Sequence, residues 1–187
     1  MIDRSRGLTS ATISLRPIGP ADEAFLYDLY ASTRQREMAL VDWTDAVKHA
    51  FLQQQFSAQQ IHYHAHFTDA SFQLVLVDDK PAGRLYVARW PHEIRVVDIA
   101  LLPEYRGSGI GTALLQSLQN ESKAANKPLT LHVERSNPAL RLYMRLGFSQ
   151  KDDLGVYLFL EWSPQLNTSS YSMPCSSEPT GRHTNTF

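Results

Sequence analysis

A single cysteine, Cys175, is all the thiol chemistry that this 187-residue chain carries. One thiol closes no internal disulfide and builds no multi-cysteine metal site, which fits a reducing compartment. An excess of charge of either sign is missing as well: 18 Lys and Arg against 19 Asp and Glu leave a formal net charge of -1. No overall field draws the chain to nucleic acid or to an anionic membrane, so neither is expected as a partner. Long apolar runs are also lacking. The opening MIDRSRGLTSATISL has no secretory stretch, and no run approaches the roughly 20 apolar residues of a membrane span. A soluble, cytoplasmic protein is expected. A composition of 43% hydrophobic and 20% charged residues, with no internal repeat, excludes collagen, coiled coil and wholesale disorder. It leaves one α/β domain over residues 12–162, preceded by a flexible N-terminus (1–11).

Periodicity outlines that domain. Residues 12–16 (TISLR) alternate as a short strand, and Pro17 and Gly19-Pro20 end it. A helix is expected from Pro20, with Asp22 and Glu23 at its positive end and an apolar stripe of Phe25, Leu26, Leu29 and Tyr30. A second helix, capped by Thr44 or Asp42, is expected over 44–62. FQLVLV, DDKPAG and RLYVARW then read as a hairpin whose turn contains Asp, Pro and Gly. The strand 94–102 (IRVVDIALL) is nearly continuously apolar and belongs in the middle of the sheet. Ile110, Leu114, Leu115 and Leu118 predict a helix to about Asn126, and LTLHV (129–133) returns to strand, which makes a parallel crossover unit. A helix from Pro138 to Leu146, stopped by Gly147, and strands at 148–152 and 155–162 close the domain. In residues 163–187, 13 of 25 positions are Ser, Thr or Pro and no period survives, so a disordered tail is expected there, with Cys175 as an incidental thiol.

The stretch PEYRGSGIGTALL (103–115) raises the question of what it holds. A Walker loop needs Gly-Lys-Ser/Thr after four residues, and the lysine is absent. A dinucleotide fingerprint needs a third glycine where Thr112 stands. The remaining arrangement, Arg106-x-x-Gly109-x-Gly111, lets a ligand approach the backbone while the first N–H groups of the following helix face an anion such as a pyrophosphate. Glycines serving only a tight turn would leave Arg106 and the crowding of Gly107, Gly109 and Gly111 unexplained.

This stretch resembles the acetyl-CoA-binding motif of the GNAT superfamily of N-acetyltransferases, R/Q-x-x-G-x-G/A. The later NPALRLYMRLGF (137–148) looks like the second motif of that family. The resemblance covers about residues 12–162. It implies a mixed, splayed central sheet flanked by helices and acetyl-CoA as co-substrate. It also implies cofactor contacts from Leu101, Leu102, Arg106, Gly107, Ser108, Gly109, Ile110, Gly111, Thr112 and Asn137. In the chemistry it implies, a neutral amine attacks the thioester and the tetrahedral oxyanion expels CoA thiolate within a ternary complex. A lysine-like amine with a pKa near 10.4 costs roughly 4.6 kcal/mol to present in neutral form at pH 7, so a base or a water relay is needed. The oxyanion needs an N–H donor, which the resemblance supplies where the motif strand splays; a bulge around Ala100 to Leu102 is implied. Tyr143 is the implied donor to the thiolate.

The residues themselves name candidates for the other roles. Asp98 interrupts VVDIALL, and a carboxylate in a buried strand is costly unless paired or set in a cleft, so it is the first choice for base or amine ligand. His132 and Glu134, on one face of the next strand, are the reserves, while His92 and Glu93 read as solvated loop residues. Asn137 equally suits a helix cap. No metal site is expected from His62-Tyr63-His64-Ala65-His66, because alternate histidines do not converge on a helix and no acidic partner is spaced with them. The acceptor is expected to be a small-molecule or peptide amine, read by residues 25–65, where Tyr27, Tyr30, Trp43, Phe51 and Tyr63 lie, and by the hairpin and C-terminal strand loops. A homodimer stays open. The rivals are O-acetyl or other acyl transfer, and an inactive acyl-CoA-binding sensor or scaffold.

Overall fold

The computed structural model of the chain describes residues 11–164; the expectations for the first ten residues and for 165–187, Cys175 included, lie outside them. In chain order the elements are β1 (Ile13–Pro17), α1 (Glu23–Met38), α2 (Asp45–His66), β2 (Ser71–Val77), β3 (Lys80–Arg89), β4 (Ile94–Leu101), α3 (Ile110–Ala125), β5 (Leu129–Glu134), α4 (Leu140–Arg145), β6 (Ser149–Leu154) and β7 (Tyr157–Trp162). The strands form one sheet in the order β1-β2-β3-β4-β5-β7-β6. The pair β4–β5 is parallel and α3 is its crossover, while the other neighbours are antiparallel. No described helix is long and apolar enough to cross a membrane.

Each face of the sheet carries its own core. On one, Ile110, Leu114, Leu115 and Leu118 of α3 and Tyr143 of α4 pack on Val87, Val96, Leu131 and Leu160. On the other, Leu26 and Tyr30 of α1 and Leu52 and Phe56 of α2 cover Leu74. The alternation of strand side chains produces this division, since Leu74 and Val75 must point to opposite faces.

Four local expectations are corrected. The hairpin turn is Asp78-Asp79 alone, both residues in the left-handed region at φ 49 and 63. That geometry matches the twist of the flanking strands. Pro81 and Gly83 instead lie inside β3, where a register shift leaves Ala82 unpaired against β2 and tolerates the missing proline N–H. α2 runs to His66, four residues past the expected end, with Thr44 Oγ1 accepting from the Val47 N–H. α4 begins at Leu140, because Pro138 and Ala139 belong to the turn before it.

The fourth correction concerns the bulge. It sits at Val97, between the pairs Val87↔Val96 and Tyr86↔Asp98, and not at Ala100 to Leu102. Strict alternation from Val96, which is in the α3-side core, would put Asp98 in the same apolar core. The extra residue shifts the phase, so Asp98 moves to the α1–α2 face while Ile99 and Leu101 pack on the α3 side.

Where β1 leads into α1, Asp22 ties the two together. Its carboxylate accepts from both Arg16 Nη atoms at 2.7 and 2.8 Å and from the Gly19 N–H at 2.8 Å. The Arg16 hydrogen bond first, and the Gly19 N–H second, lower its pKa to about 2. A lowered carboxylate pKa contributes stability that is present above the unfolded value and lost as pH falls through the folded one. Asp22→Asn is therefore expected to cost about 1 to 2 kcal/mol at pH 7, discounted because Arg16 is well exposed. Urea midpoints of wild type and variant should differ above pH 4 and converge as the pH approaches 2.

Candidate active site

The site forms where β4 and β5 part. They pair only through Ile94↔Leu129, Arg95↔Thr130 and Val96↔Leu131, and beyond Val96 the two strands splay. The Leu102 N–H donates to Ala82 O at 2.9 Å, so alternation turns the N–H and C=O groups of Ala100 and Asp98 toward β3 and those of Ile99 and Leu101 toward the open edge. The expectation for Leu102 is thus corrected: its N–H is committed to the sheet. Ile99, which sequence reasoning missed, presents its main chain instead. Of the Leu101 groups, the carbonyl accepts from Arg106 Nε at 2.7 Å.

The glycine loop lies at the end of this edge. Gly107 and Gly109 adopt φ 74 and 91, and a Cβ on either would meet nothing within 4 Å. This is a backbone conformation that other residues enter only with strain, beside open space. Ser108 Oγ donates to the Tyr105 carbonyl at 2.6 Å and tightens the loop. Gly109 is the N-cap of α3 and supplies no side-chain cap. The first backbone bond of the helix runs from the Ala113 N–H to Gly109 O. The N–H groups of Ile110, Gly111 and Thr112 therefore have no intrahelical acceptor and point out of the helix end. Gly111 is helical, and a Cβ there would touch Leu142 at 3.6 Å. Arg106 folds back over the loop, with Nη2 donating to Ser32 Oγ of α1 at 3.2 Å. The N–H groups, the positive end of the α3 dipole and the open space above two left-handed glycines fit a pyrophosphate. The free edge of β4 fits the amide-bearing arm that follows it in CoA.

Tyr143 of α4, packed in the α3-side core, lies within reach of the charge of Asp98. The Tyr143 pKa is pushed up to about 12, by burial first and by the nearby Asp98 charge second. Its ring packs edge-on against Phe148 at 5.8 Å, and the residue is only 6% exposed. Asp98 is not isolated. Its Oδ2 forms an ion pair with Arg84 Nη2 of β3 at 2.6 Å and accepts from the Tyr63 hydroxyl of α2 at 2.9 Å, while Oδ1 accepts from no described group. Arg84 is almost fully buried and also donates to Gln59 Oε1 at 2.9 Å. Its Nε and Nη1, like Gln60 Nε2, are buried without a partner. Burial works against the Arg84 charge, but the Asp98 carboxylate and the neighbouring tyrosines outweigh it, so its pKa is raised. Burial, then the Asp98 charge, raises that of Tyr63.

The other candidates are placed more loosely. Asn137 Oδ1 accepts from the Ala139 N–H at 2.9 Å, a bond that closes the turn before α4; the cap foreseen for it is not made, because the N-cap position falls on Ala139. Glu134 lies 3.7 Å from Arg34 of α1. His132 leans on Phe159, and burial followed by Arg95 lowers its pKa. Glu93 is not a solvated loop residue but buried, accepting from Arg95 at 2.8 Å and from Thr130 Oγ1 at 2.7 Å. His62 and His66, the outer pair of the histidine cluster, stack at 4.2 Å, as a spacing of four permits. Among the described residues no group of three potential metal ligands converges. Sequence reasoning passed over Arg84, although an arginine two positions from Tyr86 in an otherwise apolar strand was a usable signal.

An anion cradle at a helix N-terminus beside an open strand edge, in a mixed splayed sheet, defines an acyl-CoA-dependent transferase. The model of the acetyltransferase (GNAT) family matches residues 24–148, and the chain belongs to that family. Members of that family transfer acetyl groups from acetyl-CoA. An N-alpha-acetyltransferase of Sulfurisphaera tokodaii is 41% identical over 65 residues, a match spanning 33% of this chain and 39% of that protein. The fold is shared with the PaiA N-acetyltransferase of Thermoplasma acidophilum, solved in complex with coenzyme A, at a TM-score of 0.62 and 18% identity over 81% of this chain and 99% of that one. It is shared too with the ribosomal-protein-S18-alanine N-acetyltransferase of Escherichia coli, at a TM-score of 0.58 and 16% identity over 87% of this chain and all of that one.

Proposed function

We propose that the acceptor is an amine and that the protein is an N-acetyltransferase working by direct attack in a ternary complex. The observation that carries this is the Asp98 carboxylate where β4 leaves β5, with Oδ1 unengaged. An unengaged carboxylate oxygen attracts an ammonium and accepts its proton, directly or through water, so the neutral amine forms where it reacts; a hydroxyl acceptor brings no charge for it to bind. The Ile99 and Leu101 N–H groups are the candidates to receive the developing oxyanion. Tyr143, protonated at neutral pH, donates a hydrogen bond to the departing thiolate. Arg106, Gly107, Ser108, Gly109, Ile110, Gly111 and Thr112 hold the pyrophosphate and Leu101 the pantetheine arm; Asn137 shapes the turn that leads into α4. The relative named as an N-alpha-acetyltransferase supports peptide amino termini among the acceptors.

Acetyl-CoA is expected to raise the Tm of the wild type by several degrees at a hundredfold excess over its Kd, equivalent to about 2.7 kcal/mol. Gly109→Glu, which adds both a strained side chain and an anion, should raise that Kd at least tenfold. CoA-thiol release is then followed with butylamine, 1,4-diaminobutane, lysine amide, short peptides with a free α-amine, and matching alcohols. Turnover with at least one amine and none with the alcohols is expected. Release driven by alcohols alone would overturn the amine assignment, and tight acetyl-CoA binding without turnover of any acceptor would favour a sensor.

A further inference from the structure

The mechanism above uses Asp98 but leaves its two partners without a task. Arg84 is 2% exposed, and burying a guanidinium at that depth is unfavourable unless its charge is matched. The match is a single carboxylate oxygen. Arg84 Nη2 at 2.6 Å and the Tyr63 hydroxyl at 2.9 Å converge on Oδ2 of Asp98. Gln59, one turn before Tyr63 on α2, accepts from the same Arg84 nitrogen at 2.9 Å. Two points on α2 therefore grip a β3 side chain and a β4 side chain together. The Tyr63 ring meets Tyr86 edge-on at 5.6 Å, and Arg84 lies over the Tyr86 ring at 5.3 Å, so neither partner is free to swing. Because both contacts fall on Oδ2, the carboxylate has one anchored oxygen and one left over.

We propose that Arg84 and Tyr63 are positioning residues of the acetyl transfer, fixing the rotamer of Asp98 so that Oδ1 alone meets the acceptor ammonium. This rests on the assignment of Asp98 as amine ligand or base. The titratable groups facing Asp98 are Arg84 and Tyr86 from β3, Tyr63 from α2 and Tyr143 from α4; β5, splayed away, contributes no hydrogen bond or ion pair to it. Among these Arg84 is the lone cation. Removing it takes away one of the two anchors on Oδ2, and removing the tyrosine hydroxyl takes away the other.

The test measures kcat and KM at neutral pH, with the fastest amine of the panel above, for wild type, Arg84→Gln, Arg84→Lys, Tyr63→Phe, Asp98→Asn and the Arg84→Gln/Asp98→Asn double variant. The χ1 couplings of Asp98, read by NMR, run beside it and need no acceptor. In Arg84→Gln the couplings are expected to average over rotamers, with kcat/KM for the amine down about tenfold or more and the KM for acetyl-CoA within about twofold. Arg84→Lys should restore most of the loss. Tyr63→Phe, which keeps the buried ring and so guards against a variant that merely misfolds, should change the couplings and kcat/KM the same way by less. In the Asp98→Asn background Arg84→Gln should add nothing. Unchanged couplings in both Arg84→Gln and Tyr63→Phe, or losses that multiply in the double variant, would overturn the proposal. Asp98→Asn with wild-type turnover would overturn the Asp98 assignment itself, and the couplings would still report whether Arg84 holds that carboxylate.

Discussion

Replacing Gly83 with alanine is expected to lower the stability of the protein by about 3 kcal/mol or more, a fall of roughly 6 to 12 °C in Tm for a chain of this size. Gly83 sits in β3 opposite Leu101 of β4. A Cβ there would press into the Ala100 carbonyl oxygen and stand 2.7 Å from Leu101 Cδ2 and 3.1 Å from Leu101 Cα. Two of these three obstacles are backbone and cannot rotate aside. Relief requires β4 to move away from β3, and β4 is the strand whose outer edge carries the Ile99 and Leu101 main chain. The same substitution should therefore raise the KM for acetyl-CoA in whatever fraction stays folded. Differential scanning calorimetry and initial rates at varied acetyl-CoA check both parts. An unchanged midpoint would show that the strands separate at no cost.

Tyr143→Phe is expected to lower kcat about 10- to 100-fold while leaving Tm and acetyl-CoA affinity within error, because the ring and its packing on Phe148 remain. With the Tyr143 pKa pushed up to about 12, full transfer of its proton to a thiolate of pKa near 8.5 is uphill by roughly 5 kcal/mol. Tyr143 therefore acts by donating a hydrogen bond to the thiolate, an interaction worth about 1.5 to 3 kcal/mol when one partner is charged. That range sets the expected loss. Single-turnover measurements isolate the chemical step. Wild-type turnover in Tyr143→Phe under those conditions would leave the residue as a core aromatic and nothing more.

Much of the site could be read along the chain because its parts are local. The glycine loop declares itself within a few residues: left-handed φ at Gly107 and Gly109 follows from the absence of a Cβ, and the free N–H groups of α3 follow from any helix start. The same holds for the α3 stripe and for the stop at Gly147, which takes φ 85. These features depend on residues within about one turn of each other, where propensity and period decide the outcome.

What the tertiary structure decided involves strands meeting across long stretches of sequence. Asp98 stood out as a carboxylate in an apolar strand, but its partners lie 35 residues away on α2 and across the sheet on β3. The family resemblance put the bulge at the strand end, yet it lies at Val97, because only pairing with β3 shows where the phase must change to keep a carboxylate out of the α3-side core. Leu102 looked open and is not, since its N–H is claimed by Ala82. Glu93 looked solvated until Arg95 and Thr130 closed on it. Gly83, read as a turn residue, is required by the closeness of a neighbouring strand. The physical reason is common to all of these. Burial and period are written in each segment, but a hydrogen bond or a close approach between segments depends on register, and a slip of one residue turns every side chain to the other face.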